Sequence, residues 1–198
     1  AERLIYQDET GLLGLPLPNL PGPHQVQNAG AAIATLRHLG MGEIACTAAV
    51  TQAHWPARMQ RLRSGPLVEN LSSNEIWLDG GHNPSAGRAI AATLASLARR
   101  ETHIICGMIN TKDVQGFLAP IAEHCVSLTA ITIPNEPNAV PAANLAAAGQ
   151  ACGILSAEGG PINQVLAGLA QRHPEARILI CGSLYLAGHV LRENDESA

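Results

Sequence analysis

Short apolar runs that alternate with helical patterns constrain this chain more than any other feature. They fall at residues 76–78, 103–106, 128–133 and 178–181, with a weaker one at 153–155. Their ends are spaced by about one βα unit, which is the signature of a parallel sheet with helices on its faces. The intervening stretches carry helical periodicity. Ile90, Leu94, Leu97 and Ala98 line the first, Val114, Phe117, Leu118 and Ile121 the second, and Ile162, Val165, Leu166 and Leu169 the fourth. The third, 141–151, is mostly alanine and should pack close to the sheet or lie at its edge. The expected fold is therefore α/β and doubly wound, with right-handed crossovers.

The first of these strands runs into an unusual tip, IWLDGGHNP at 76–84. In an open parallel sheet the carboxyl ends of strands bind ligands, because loops there gather polar side chains and unpaired helix N–H groups. Gly80 and Gly81 allow positive φ or close approach of a ligand, and Pro84 suits a first helical position. Asp79 and His82 are thereby held at a strand tip; the same pattern also fits an ordinary strand-turn-helix capped by Asn83 or His82. Other strand ends contribute GMINTKD at 107–113, PNEP at 134–137 and GSLY at 182–185. Ser183 there fits either an anion-holding hydroxyl or a plain helix N-cap. No G-x-S-x-G elbow, HExxH helix or paired Cys-His spacing is present, so nucleophilic hydrolase and metalloenzyme readings lack support. Lys112, the only lysine, follows no GxxxxG loop, so these 198 residues hold no Walker A motif and should not cleave ATP by themselves.

Ahead of the sheet, residues 3–6 read as a short strand and 11–23 as a loop of Leu-Pro alternation. Residues 21–23 (PGP) then lead into a helix in which Val26, Ala29, Ile33 and Leu36 bury one face and which Gly40 ends. A second helix is expected over 43–53. So few core-sized side chains need a partner, and the segment reads as the tail of a domain whose body lies upstream; the chain also begins without methionine. Pro56 breaks the helical pattern. Arg58 then sits at a junction, either as a solvated charge or as a fork for phosphate oxygens. Met59, Leu62, Leu67 and Val68 suggest a short hairpin before the main sheet, with 69–75 as its connecting loop.

Composition closes several alternatives. A net charge of −4 without any Lys/Arg block argues against nucleic acid, and an aromatic content of 3% against base-stacking platforms. No window is apolar enough to span a membrane, and the first residues do not make a signal peptide. The five cysteines, never in a CxxC pair, read as small buried hydrophobes in a reducing cytoplasm. Only the polar run at 193–198 looks disordered.

Taken together, PGPHQVQNAGAAIATL, WPARMQRL, WLDGGHNPSAG, GMINTKDV and ILICGSLYLAG resemble the C-terminal part of folylpolyglutamate synthase/dihydrofolate synthase, of the Mur ligase superfamily. Five motifs in family order cover nearly the whole chain. Ala57 stands where the family usually has glycine, Gln60 often where it has glutamate, and Gly81 where alanine is common. The resemblance implies a Rossmann-like C-terminal domain over 58–198, preceded by a helical remnant of the central P-loop ATPase domain over 1–57. It implies a ligase that uses MgATP to phosphorylate the carboxylate of a folate or dihydropteroate, after which the amino group of L-glutamate attacks the acyl phosphate. Asn28 matches a nucleotide-contacting position of the larger domain, Arg58 the linker arginine that reaches the phosphates, and Asp79 the acid that holds the ribose region. His82 and Ser183 match positions tied to the incoming amino acid or the closed site. His82 either orients glutamate's carboxylate or takes up the amine proton. Magnesium ligands and the P-loop belong to the upstream domain in cis, and a monomer is expected. On this reading Asp79→Ala weakens ATP use and leaves the fold largely intact. Another Mur-type ligase, acting on peptidoglycan precursors or cyanophycin, and a stand-alone nucleotide-binding module are the alternatives.

Overall fold

The structure, a computed structural model, describes residues 2–71 and 73–195, so positions 196–198 of the polar terminal run lie outside the described residues. The chain divides into two compact units, Ala1–Pro56 and Ala57–Ala198.

In the first unit, β1 (Leu4–Asp8) pairs antiparallel with β2 (Gly11–Leu15), and α1 (Pro23–His38) and α2 (Glu43–Thr51) follow. The segment expected to be loop from Gly11 onward is thus partly a strand. Its pairing comes from a two-residue turn in which the Asp8 carboxylate accepts from the Thr10 N–H and hydroxyl, and in which Gly11 takes a φ of +125° that favours glycine. Arg37 near the end of α1 grips the same carboxylate with two N–H groups at 2.6 and 2.9 Å. A small core of Leu4, Leu15, Ala29, Ile33, Cys46 and Val50 holds the unit together. The buried stripe of α1 runs through Gln25, Ala29 and Ile33; Val26 points outward, 39% exposed, one step off the expected face. Gly40, with φ +76°, follows the end of α1.

The second unit contains β3 (Gln60–Leu62), β4 (Glu75–Leu78), α3 (Pro84–Ser96), β5 (Thr102–Cys106), α4 (Val114–Leu118) continued by a 3-10 turn (Ala119–His124), β6 (Ser127–Ala130), α5 (Ala142–Ala151), β7 (Leu155–Glu158), α6 (Ile162–Arg172), β8 (Arg177–Cys181) and α7 (Leu184–Glu193). Its sheet has the order β3-β4-β8-β5-β6-β7, parallel throughout except for β3. The segment around β3 therefore does not form a separate hairpin but pairs antiparallel with β4 at the edge of the main sheet. Leu67 and Val68 lie in a turn closed by hydrogen bonds to the Gly65 carbonyl.

Strands β5 and β8 are buried at every position, as central strands covered on both faces must be. Ile105, Ile178 and Ile180 face α6 and α7 with Leu166, Leu186 and Val190, whereas Ile104, Leu179 and Cys181 face α3, α4 and α5 with Ile90, Phe117 and Leu145. Helices thus cover both faces, as the doubly wound expectation requires. Strand β6 stops at Ala130 rather than 133, because its last ladder partners are Cys106 and Glu158; Ile131 and Ile133 stay buried without a ladder. The weak strand lies at 155–158 instead of 153–155. Gly153, in a left-handed turn, precedes it, and it forms the far edge of the sheet beside α5.

The chain climbs from β4 through β5 and β6 to β7, then returns to place β8 between β4 and β5. Helix α3 after β4 packs on one face and α7 after β8 on the other, so the carboxyl ends of β4 and β8 flank a switch point where a crevice opens.

Candidate functional site

Strand β4 delivers Asp79 to that crevice as a buried group, 7% exposed, with both carboxylate oxygens engaged. Oδ2 accepts the Met59 N–H at 2.8 Å and Oδ1 the Gly81 N–H at 2.7 Å. The Asp79 N–H itself donates to the Ile180 carbonyl at 2.9 Å, fixing the tip of β4 to β8. Asp79 is thus first an anchor for backbone, which argues against the expectation that Asp79→Ala leaves the fold largely intact.

The segment it anchors presents Arg58. Ala57 and Met59, on either side, have φ of +53° and +41°, a region that L-residues rarely occupy outside glycine. The Ala57 carbonyl accepts the Gly80 N–H at 2.8 Å, and the Ala57 N–H donates to Gln60 Oε1 at 2.9 Å. Two left-handed residues held this way throw the Arg58 side chain toward Gly80. Its Nη1 lies 3.4 Å from where a Gly80 Cβ would sit and 3.3 Å from the Ala57 carbonyl oxygen. A half-buried guanidinium with most of its five donors outside such contacts suits phosphate oxygens.

Neither Gly80 nor Gly81 uses positive φ; close packing requires them. A Cβ at Gly80 would meet Leu184 Cδ2 at 2.4 Å, and one at Gly81 would meet Asp79 Oδ1 at 2.8 Å and the Ala86 Cβ at 2.9 Å. Among the glycines here positive φ belongs to Gly182 (+111°), whose N–H donates to the Gly81 carbonyl at 3.0 Å and joins the tips of β4 and β8.

His82 Nδ1 lies 2.9 Å from the Gly80 carbonyl oxygen. A carbonyl oxygen only accepts, so Nδ1 carries the proton and Nε2 is left as the basic nitrogen. The local cap of α3 is Asn83, which accepts the Ala86 N–H at 2.9 Å, so the capping role does not fall to His82. Ser183 is the N-cap of α7: its hydroxyl oxygen accepts the Tyr185 N–H at 3.0 Å, leaving its own proton to donate, and it is 3% exposed. Arg58, Asp79, His82 and Ser183 therefore gather around one edge.

Asn28 belongs to the first unit. It is exposed on α1, donates to Gln25 Oε1 at 2.9 Å, and borders a hollow of about 120 Å³ with Pro18, Leu20 and Ala53. Beyond the crevice, the loops after β5 and β6 are tied by the Asn110 N–H to the Asn138 carbonyl at 2.8 Å. Lys112 is half-buried there, and Asp113 caps α4 through the Gly116 N–H. The cysteines are free thiols. Hydrogen bonding to Cys106 and burial push the Cys181 thiol, at the end of β8, well above its ordinary range, which makes it inert as a nucleophile.

The positions that sequence reasoning missed are the left-handed Ala57 and Met59; the resemblance, which implies glycine at 57, carried a signal for the first and none for the second. Leu184, which lies over Gly80, had no comparable signal.

Fold and edge together define a Rossmann-like α/β domain with polar side chains gathered at its switch point. Residues 57–184 match the family model described as Mur ligase, glutamate ligase domain, and the chain belongs to the Mur ligase family. It is similar to the folylpolyglutamate synthase of Lacticaseibacillus casei, 28% identical over 196 residues, covering 96% of this chain and 42% of that protein. The Mycobacterium tuberculosis folylpolyglutamate synthase complexed with ADP and AMPPCP superposes with a TM-score of 0.73 at 26% identity, over 92% of this chain and 42% of that one. The bifunctional folylpolyglutamate synthase/dihydrofolate synthase of Yersinia pestis, complexed with AMPPNP and Mn, gives 0.77 at 25% identity over 94% and 42%. The chain thus spans about two fifths of the length of these relatives. The resemblance read from the motifs and the Rossmann-like fold are both borne out.

Proposed function

We propose that this chain is the C-terminal part of an ATP-dependent ligase that joins L-glutamate to a folate or dihydropteroate through an acyl phosphate. The observation that carries this reading is Arg58, held between two left-handed residues on the Asp79 anchor at the mouth of the switch-point crevice. A carboxylate and an ammonium ion do not condense in water, so the acid must first be activated. Transfer of a phosphoryl group develops charge on its oxygens, and a fixed guanidinium stabilises that charge without reorganising.

Each residue then has a role. Arg58 pairs with ATP phosphates, and Asn28 contacts the nucleotide from the preceding segment, 1–57, which is the remnant of a P-loop domain lying upstream in cis. Asp79 holds the Arg58 segment in place, and any contact with ribose uses its remaining lone pairs. The basic His82 Nε2 takes the proton that leaves glutamate's amine, and the Ser183 hydroxyl donates to a carboxylate oxygen. Magnesium, when bound, screens the phosphates. Its ligands are assigned to the upstream domain, since Asp79, the carboxylate at the tip of β4, already accepts two backbone N–H groups.

Half a site does not turn over, so closure of the two domains excludes water from the acyl phosphate, and this chain alone is inactive. The reaction is that of folylpolyglutamate synthase, with dihydrofolate synthase activity as its natural companion, in a cytoplasmic monomer. Among the described residues no helix is long and apolar enough to cross a membrane. Calorimetry of the chain with ATP tests the division of labour. Weak or undetectable binding is expected, whereas tight binding would make it a self-sufficient nucleotide module.

A further inference from the structure

At the opposite, amino-terminal edge of the sheet, Glu101, His103 and His173 bring one ligand atom each to within 4.8 Å of one another. Glu101 Oε1 lies 3.1 Å from His103 Nε2 and 3.1 Å from His173 Nδ1. The two imidazoles lie with their centroids 4.0 Å apart and their planes tilted by 41°. Ligands about 2.05 Å from a tetrahedral Zn²⁺ are about 3.3 Å apart, so both measured contacts already sit at the separation a metal requires.

The tautomers also fit. His103 is buried on β5, and its Nδ1 lies 2.8 Å from the Ser127 hydroxyl. A hydroxyl both donates and accepts, so Ser127 satisfies His103 with the ring proton on either nitrogen. On metal binding each neutral ring shifts its proton to its other nitrogen: on His103 from Nε2 to Nδ1, whose N–H then donates to Ser127 Oγ, and on the half-exposed His173 from Nδ1 to Nε2, so that both ligating nitrogens present a lone pair and neither ring loses a net proton. Such an outer partner is the usual device for orienting a ligating histidine.

We propose that Glu101, His103 and His173 form a binding site for one divalent transition-metal ion of the Zn²⁺ class, with water completing the tetrahedron. Glu101 precedes β5, and its carbonyl accepts the Arg177 N–H of β8 at 2.7 Å; His173 caps the end of α6. The ion therefore pins the α6–β8 corner to β5, a structural role remote from the crevice.

Titration of the 198-residue chain with Zn²⁺ by calorimetry, and with Co²⁺ by visible absorption, tests this. One equivalent should bind, with a Co²⁺ d–d band and no thiolate charge-transfer band; burial pushes Cys125 up to about 11, so it competes poorly. His173→Ala and Glu101→Gln, both at solvent-accessible positions, should keep their circular dichroism yet weaken binding at least about tenfold, and Ser127→Ala should weaken it about 10–100-fold with unchanged stoichiometry. Zn²⁺ should raise the unfolding midpoint of the parent chain and not of His173→Ala. Absence of Zn²⁺ binding, or equal binding by the parent and both ligand variants, would overturn the site.

Discussion

The Asp79 carboxylate accepts the Met59 backbone N–H at 2.8 Å, across 20 positions of sequence, while its other oxygen takes the Gly81 N–H. One buried side chain thereby sets both the tip of β4 and the segment that carries Arg58. Removing it strands two N–H groups, each costing about 1–3 kcal/mol when left unsatisfied. Asp79→Ala should destabilise the second unit by roughly 2–4 kcal/mol, and Asp79→Asn, which keeps one acceptor oxygen, by less. Urea unfolding midpoints check both; a change of under about 0.5 kcal/mol in Asp79→Ala would remove the anchor.

Ala57 tests the backbone directly. Relief of its left-handed strain by glycine gains about 1 kcal/mol, but the lost buried methyl gives back about 0.8 kcal/mol. Ala57→Gly should therefore lie within about 0.5 kcal/mol of the parent. Ala57→Val combines β-branching at positive φ with overpacking and should cost at least about 2 kcal/mol in the same assay.

These two residues also show how far the sequence could be read. β5 and β8 were legible because a strand buried on both faces has to be apolar throughout. β7 was misplaced because at the sheet edge only Ser156 is buried and Leu155 is 76% exposed, which inverts the usual signal. β2 was invisible because its glycines and following prolines argue for loop, and the pairing that makes it a strand comes from β1. Residue types placed Asp79, His82 and Ser183 at strand ends and Arg58 only at a junction; the resemblance alone brought Arg58 to the site. The anchoring role of Asp79 was hidden because one of its donors comes from a distant loop.

Glu75 links β4 to both neighbouring strands. Its Oε2 accepts from Arg177 Nε at 3.0 Å and Trp77 Nε1 at 3.3 Å, and Arg61 Nη1 lies 3.2 Å from Oε1, with its guanidinium 5.4 Å from the Trp77 ring. Burial alone would raise this carboxyl, but the hydrogen bonds from Trp77 and Arg177 and the charges of Arg177 and Arg61 hold it below the ordinary range. A depressed carboxylate contributes stability above its unfolded value, about 4.3, and loses it as pH falls through the lower folded value. Glu75→Gln leaves Arg177, 3% exposed, without its charge partner and should cost roughly 2–3 kcal/mol at neutral pH. Unfolding free energy followed from about pH 5 downward should fall less steeply in the variant than in the parent; parallel curves would contradict this.

His82 distinguishes two chemistries in the full-length enzyme. As proton acceptor for the amine, its replacement in His82→Gln should lower kcat about 100-fold with little change in the KM for glutamate. An orienting role would raise that KM and spare kcat.

The sharpest test concerns Arg58. In the full-length protein, steady-state glutamate ligation by Arg58→Ala should show kcat lowered at least about 100-fold, with an unfolding midpoint like the parent's, and Arg58→Lys should recover only part of the loss because an ammonium lacks the planar fork. Ligation by Arg58→Ala at the parental rate would contradict the account, since the anchored segment would then present nothing the reaction uses.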